Sequence, residues 1–170
     1  MKRFFYGIIS CLVFILIVAI VIAFGITKLG LVPINADTAP SSLEQRLLPT
    51  VVRAAVAREA RSETMTYAAT DDGIRAGEEI YKAMCAQCHG QLNGRPSVLG
   101  ASFYPPAPQL PGHSSLYTEA QKFWIVKHGI RNTSMPAWGR LLSDRDISQV
   151  VAFLKTLGPA GVTVRSDELN

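Results

Sequence analysis

Apolar and polar positions change rhythm several times along this chain. From Phe4 to Thr27 there is only an uncharged apolar run, with Lys2 and Arg3 before it and Lys28 after it. As a helix, that run spans roughly 36 Å at about 1.5 Å per residue, enough to cross a bilayer. Residues 31–42 contain Pro33, Pro40 and two adjacent serines and read as linker. Residues 43–63 are alanine-rich and charged. A helix is predicted there, with Pro49 better suited to its first turn than to its middle. Arg46, Arg53, Arg58 and Arg61 make it basic, and Arg46 and Arg53 share a face if the helix runs through. Lipid head groups, a neighbouring subunit or plain solvent are the three readings of that face.

The second half has a clearer period. Ile74, Gly77, Ile80, Tyr81 and Met84 recur at three- and four-residue steps, which predicts a one-sided helix over 74–86 with Asp71 and Asp72 at its N-terminus. Residues 91–112 are rich in Gly and Pro, and a long loop without regular structure is expected. Ser114 to His128 reads as a helix stopped by Gly129. Ser143-Asp144-Arg145-Asp146 resembles a capping box with Asp in place of Glu. Ile147, Val150, Val151, Phe153, Leu154 and Leu157 form the apolar side of a last helix, ended by Gly158-Pro159. The chain therefore divides into an apolar segment (1–28), a linker with a basic helix (29–70), a folded domain (71–158) and a tail (159–170).

Composition narrows the class. At 170 residues the chain holds one modest domain with extras. A net charge of +4, with no basic cluster interleaved with aromatics, predicts no nucleic-acid partner. A cleaved signal peptide has a shorter apolar core and a small-residue cleavage site. The best site here, after Ala36, has bulky Ile34 at the third position back, so an uncleaved membrane anchor is the preferred reading. Lys2 and Arg3 hold its N-terminus in the cytoplasm, although Lys28 weakens the bias. Cys11, in Ile8-Ile9-Ser10-Cys11, faintly resembles a lipoprotein site but comes too early in a run that continues past it. It reads as an ordinary buried thiol facing lipid or a partner helix.

Chemistry enters at Cys85-Ala86-Gln87-Cys88-His89. Two cysteines two residues apart, followed at once by histidine, form the attachment pattern for c-type haem. Each sulfur adds across one porphyrin vinyl group, and His89 lies under the iron. A dithiol redox motif needs a βαβ setting, absent here. A zinc site needs four ligands, and the only other cysteine is Cys11. Downstream, Ser134-Met135-Pro136-Ala137-Trp138 offers a soft thioether for the sixth iron position, and His/Met ligation raises the potential. Pro136 stiffens that loop and Trp138 packs near the haem. The alternative role of Met135 is to fill the core.

These motifs resemble those of the class I c-type cytochromes over residues 71 to 158. The resemblance implies an all-α cytochrome c fold around one covalent haem c, here preceded by a transmembrane helix. It implies that Cys85 and Cys88 bind the cofactor and that His89 and Met135 ligate the iron. Gly77 and Tyr81 stand where the family brings its first and last helices together. Pro108 and Leu110 resemble the loop beside the axial histidine, where a proline carbonyl accepts the other ring N–H. Pro105 and Pro106 compete for that assignment. Residues 123–138 are similar to single-haem modules of membrane oxidases and reductases.

Other candidates carry less. His113 and His128 are alternative sixth ligands or surface histidines, and Met84 and Met65 are packing residues. Lys122, Lys127, Arg131 and Arg140 surround the Met135 segment, either to steer an acidic redox partner or to solubilise. The resulting expectation is a membrane-anchored electron carrier, not an enzyme, with its haem domain on the periplasmic side and unidentified redox proteins as partners. The rivals are a permanent subunit of a respiratory or photosynthetic complex, a haem peroxidase and a haem sensor.

Overall fold

The apolar run forms one unbroken helix, α1 (Lys2–Lys28). None of its apolar stretch is buried against protein, and its length and composition are those of a membrane-crossing helix. The computed structural model describes residues 2–31, 34–63, 70–110 and 117–157, and every regular element among them is helical. The chain forms two units, 1–38 and 39–170.

The second unit starts with α2 (Ser42–Glu59), capped by Ser41, whose side chain accepts from the Glu44 N–H, and extended by a 3₁₀ turn (Ala60–Ser62). Helix α2 begins before the first-turn position expected for Pro49 and carries that proline inside. The cost is one missing backbone donor, at a position open to solvent. Helix α2 and its 3₁₀ extension both pack on α6 (Glu119–His128), and Val56 and Ala60 are buried, so this part of the predicted linker stretch is built into the domain.

Helix α3 (Asp71–Ile80) starts at the acidic pair, three residues earlier than predicted, because the Thr70 side chain accepts from the Gly73 N–H. The predicted end of this helix is also different. A π turn (Tyr81–Cys85) follows, and α4 (Ala86–His89) continues through the cysteine motif. In the π turn the Ala86 N–H reaches back to the Tyr81 carbonyl. One extra residue in a turn rotates everything after it by about 100°, which re-aims the motif relative to α3.

The Gly/Pro segment is not structureless. Ser97 caps one turn, α5 (Val98–Ala101), by accepting from the Gly100 N–H. Helix α6 starts at Thr118, in a capping box with Gln121, and ends at Gly129 as predicted. The predicted start at Ser114 and the Gly158-Pro159 stop lie outside the described residues, as do His113 and Met65. A 3₁₀ turn (Trp138–Arg140) precedes α7 (Asp144–Thr156).

Helix α7 is the hub. It crosses α3 at Gly77, where a Cβ would sit 2.1 Å from the Gln149 carbonyl oxygen, and the Tyr81 and Phe153 rings lie 5.6 Å apart beside that crossing. It also packs on α6, with ion pairs at both ends: Lys127 to Asp144 at 3.0 Å and Lys155 to Glu119 at 2.6 Å. Two apolar clusters result. One joins Phe123, Val126, Ile147 and Val151; the other joins Tyr81, Ala86 and Phe153.

The Ser143 cap sets where α7 begins. Ser143 gives its O–H and N–H to the Asp146 carboxylate and accepts from the Asp146 N–H. Those bonds lower the Asp146 pKa, so their stabilisation is present above the ordinary carboxylate range and is lost as pH falls below it. Ser143→Ala is expected to cost about 1 kcal/mol. In thermal melts at neutral pH the midpoint should fall by roughly 4–8 °C, and the difference from the parent should shrink in acid.

Candidate functional site

A cavity of about 570 Å³ separates the two apolar clusters and takes its walls from both. Its size is that of a site for a sizeable organic group. The π turn and α4 bring Cys85, Cys88 and His89 to one side; the loop after α6 brings Met135 and Trp138. Pro108 and Leu110 complete the wall, so all seven residues singled out in the sequence line one space. Met84 lines it too, beside the cysteines.

The histidine is fixed from two directions. Its Nδ1 lies 2.8 Å from the Pro108 carbonyl, which only accepts, so Nδ1 holds the proton and Nε2 is left for a ligand in the cavity. The Leu110 N–H donates to the His89 carbonyl at 2.9 Å. Of the three nearby prolines, the structure selects Pro108.

The end of a helix leaves its last carbonyls without partners. In α4 all of these find donors. The Ser97 hydroxyl serves Gln87; Gln109 Nε2 serves Cys88 at 3.3 Å; Leu110 serves His89; and the Tyr81 hydroxyl serves Gly90 at 2.8 Å. The Ser97 N–H in turn donates to Gln109 Oε1 at 2.7 Å. Sequence reasoning missed Ser97 and Gln109. Ser97, two residues before the Leu99-Gly100 pair, was the available capping signal, while Gln109 gave none.

Across the cavity, Met135 sits in a closed loop. Its N–H donates to Thr133 Oγ1 at 3.1 Å, that hydroxyl donates to the Ile130 carbonyl at 2.7 Å, and the Ile130 N–H returns to the Met135 carbonyl at 3.2 Å. Gly129 makes the turn possible. Its φ is +68°, and a Cβ there would lie 2.7 Å from the Met135 carbonyl oxygen. Met135, Trp138 and Leu142 all pack on the Phe123 cluster.

Burial pushes the Cys85 thiol up to about 11, with the neighbouring Cys88 thiol adding to the effect. Burial likewise raises Tyr81. Among the described residues no three His, Cys, Asp or Glu side chains gather into a metal-holding group. Of the four cations predicted to surround the Met135 segment, only Lys122 lines the cavity; Lys155, not anticipated, lines it as well. Lys127 is held by Asp144 and stands 5.3 Å over the Phe123 ring. Arg131 and Arg140 are exposed. His128 is a surface residue, 3.5 Å from Glu63 and stacked 5.1 Å from Trp124, outside the cavity wall.

Paired thiols and a proton-fixed imidazole on one side of an apolar cavity, with a thioether opposite, suit a large, flat, metal-bearing ring attached through sulfur. The chemistry defines the class as small all-α domains that hold such a ring. Comparisons with known proteins identify the family. Residues 72–154 match the family model described as cytochrome c oxidase, cbb3-type, subunit III. Cytochrome c of Dictyostelium discoideum is 31% identical over 101 residues, an alignment that takes in 48% of this chain and 88% of that protein. The chain belongs to the cytochrome c family, in its class I branch, and with the family come covalently bound haem c and electron transfer.

Two solved structures are also similar. Cytochrome CL of Methylophaga aminisulfidivorans is 18% identical, with a TM-score of 0.42 over 77% of this chain and 88% of that one. A chain of a reducing HAO-like protein complex of Kuenenia stuttgartiensis is 24% identical, with a TM-score of 0.40 over 58% of this chain. The match spans only 52% of that chain's length.

Proposed function

We propose that this is a membrane-anchored, single-haem cytochrome c that relays electrons one at a time between redox proteins on the periplasmic side of the cytoplasmic membrane of a bacterium. Cys85 and Cys88 would hold the haem, and His89 Nε2 and the Met135 sulfur would be the ligands offered to its iron. The observation that carries this reading is the convergence of these four side chains on one apolar cavity, with the His89 ring already oriented by Pro108. When bound, haem supplies a one-electron iron couple. The protein's part is to hold both ligands still, so that little reorganises when charge changes, and to exclude water behind apolar walls. Helix α1 keeps the domain beside its partners and raises their effective concentration.

Optical and mass analysis of the membrane fraction tests the assignment. The expected result is one haem per chain, retained in acidified acetone, with a Met-to-iron charge-transfer band and an intact N-terminus. Pigment extracted by the solvent would overturn it.

A second reading, a permanent subunit of a larger respiratory complex, is favoured by the description of the matching family model as an oxidase subunit. Extraction in mild detergent separates the two: a lone polypeptide supports the carrier, a stable assembly the subunit.

Thr133 is the positioning residue for the proposed sixth ligand. Thr133→Val removes the hydroxyl that bridges Met135 and Ile130 while nearly keeping the shape. The expected cost is about 1 kcal/mol, which multiplies the fraction of molecules with the thioether off the iron by roughly five. The rate of carbon monoxide binding to the reduced protein should rise by that factor while the fold stays intact.

A further inference from the structure

Helix α2 has two differently finished sides. The inward one is fixed to the haem domain. Val52, Val56 and Ala60 follow at four-residue steps, the latter two buried, while Glu44 accepts from the Tyr104 hydroxyl at 2.5 Å. Beyond its end, Glu63 stands 3.5 Å from His128. The outward side also steps by four: Leu43, Leu47 and Val51, which are 71%, 53% and 54% exposed. Leu48, four residues before Val52, is half-exposed as well. Arg46, three residues after Leu43, borders this stripe; Arg53, also exposed, shares the arginine flank but stands three residues before buried Val56. From Ser42 to Ala57 the one acidic residue is Glu44, which is turned to Tyr104.

We propose that the outward face of α2 rests on an acidic lipid surface. Leu43, Leu47 and Val51 enter the boundary between head groups and acyl chains, and Arg46 and Arg53 meet lipid phosphates. This rests on the reading of α1 as a retained membrane helix. Two observations favour lipid over a protein partner. The stripe lies on the half of α2 nearer in sequence to α1, and the 13 residues 29–41 between Lys28 and Ser42 reach at most about 45 Å. The stripe is aliphatic, bordered by arginine and free of acid, as interfacial helices are.

The inward side then gives the contact a purpose. Helix α2 is bound both to α6 and, through Tyr104, to the segment that carries Pro108. A lipid-seated α2 thus fixes the tilt of the haem domain on the membrane, and with it the rim of the haem cavity that partners meet. A leash alone would leave the domain free to tumble.

The test uses the full-length holoprotein in nanodiscs containing phosphatidylglycerol, with Cys11→Ser and the iron reduced. One nitroxide label is placed at Leu47→Cys, at Ile15→Cys in α1 or at Asn93→Cys on the exposed loop. At position 47 the ratio of relaxation by oxygen to relaxation by a water-soluble nickel complex should be several-fold higher than at position 93, and close to that at 15. It should drop several-fold in phosphatidylcholine alone, and in phosphatidylglycerol when Arg46→Gln and Arg53→Gln are combined. A label at 47 that behaves like 93, while 15 stays in lipid, overturns the α2 contact and leaves the anchor standing. A label at 15 that also behaves like 93 overturns the anchor and the contact together. Shielding of position 47 from both reagents marks protein contact through α2 and likewise overturns the lipid assignment.

Discussion

Replacing Gly77 by alanine should come close to abolishing the folded holoprotein. A Cβ at this position would stand 2.1 Å from the Gln149 carbonyl oxygen, 2.5 Å from its carbon and 2.9 Å from the Val150 nitrogen. All three atoms are backbone within a helix, so no rotamer change relieves the clash. The helices would have to separate, and the Tyr81–Phe153 contact beside the crossing would open with them. Overpacking typically costs about 1–3 kcal/mol where side chains can shift. Here the backbone must move, and the loss should exceed about 3 kcal/mol, a large part of a small domain's total stability. Gly73 is the internal control. One turn earlier on the same face, its Cβ would meet only the Thr70 hydroxyl at 3.1 Å and the end of the Gln149 side chain. Gly73→Ala gains up to about 1 kcal/mol of helix propensity, which offsets a small adjustment there. Thermal melts and haem-stained yield should therefore fall steeply for Gly77→Ala and stay near the parent for Gly73→Ala. Equal losses at both positions would remove the close approach as the cause.

The contrast also shows how far the amino-acid pattern carries. Gly77 and Tyr81 were legible through the family resemblance, which sets a first-to-last helix contact just before Cys85, and a glycine is what lets two helix backbones meet there. The cysteine pair, His89 and Met135 were legible because their chemistry is rare and their order is informative. Pro108 was legible as a role, a carbonyl for the His89 ring, but three prolines within four residues satisfy the pattern, and only the 2.8 Å contact selects one. The π turn left no mark: the three- and four-residue apolar steps from Ile74 to Met84 run straight through it. The α5 turn was hidden by a Gly/Pro-rich composition that normally means loop, although Ser97 was in place to cap it. Lys155 escaped because it stands 20 residues beyond Met135, and only the antiparallel packing of α6 and α7 returns it to the cavity. For α2 the sequence left three readings of the arginine-bearing face open. The structure adds that Val56 and Ala60 are buried while Leu43, Leu47 and Val51 stay exposed.

Met135→Ala tests the ligand assignment itself. Removing the thioether empties the proposed sixth position without touching the attachment side, where Cys85, Cys88 and His89 keep their own supports. The Met135 backbone bonds to Thr133 and Ile130 do not need the side chain, so the loop should persist. Some stability is still lost, because the half-buried side chain packs on the Phe123 cluster; the loss should stay below the about 2–5 kcal/mol of a fully buried Met→Ala change. The redox effect is separable from that loss. Thioether ligation favours ferrous iron, and without it the midpoint potential should fall by on the order of 0.2 V, a fraction of the ~0.8 V over which axial ligands tune haem. The reduced protein should bind carbon monoxide at neutral pH, and the Met-to-iron charge-transfer band should vanish. Met84→Ala supplies the comparison. Met84 lines the same cavity from the cysteine side, so it should weaken packing while leaving the band and the potential close to the parent. If Met135→Ala keeps the band, Met135 is a packing residue and another group holds the iron from that side.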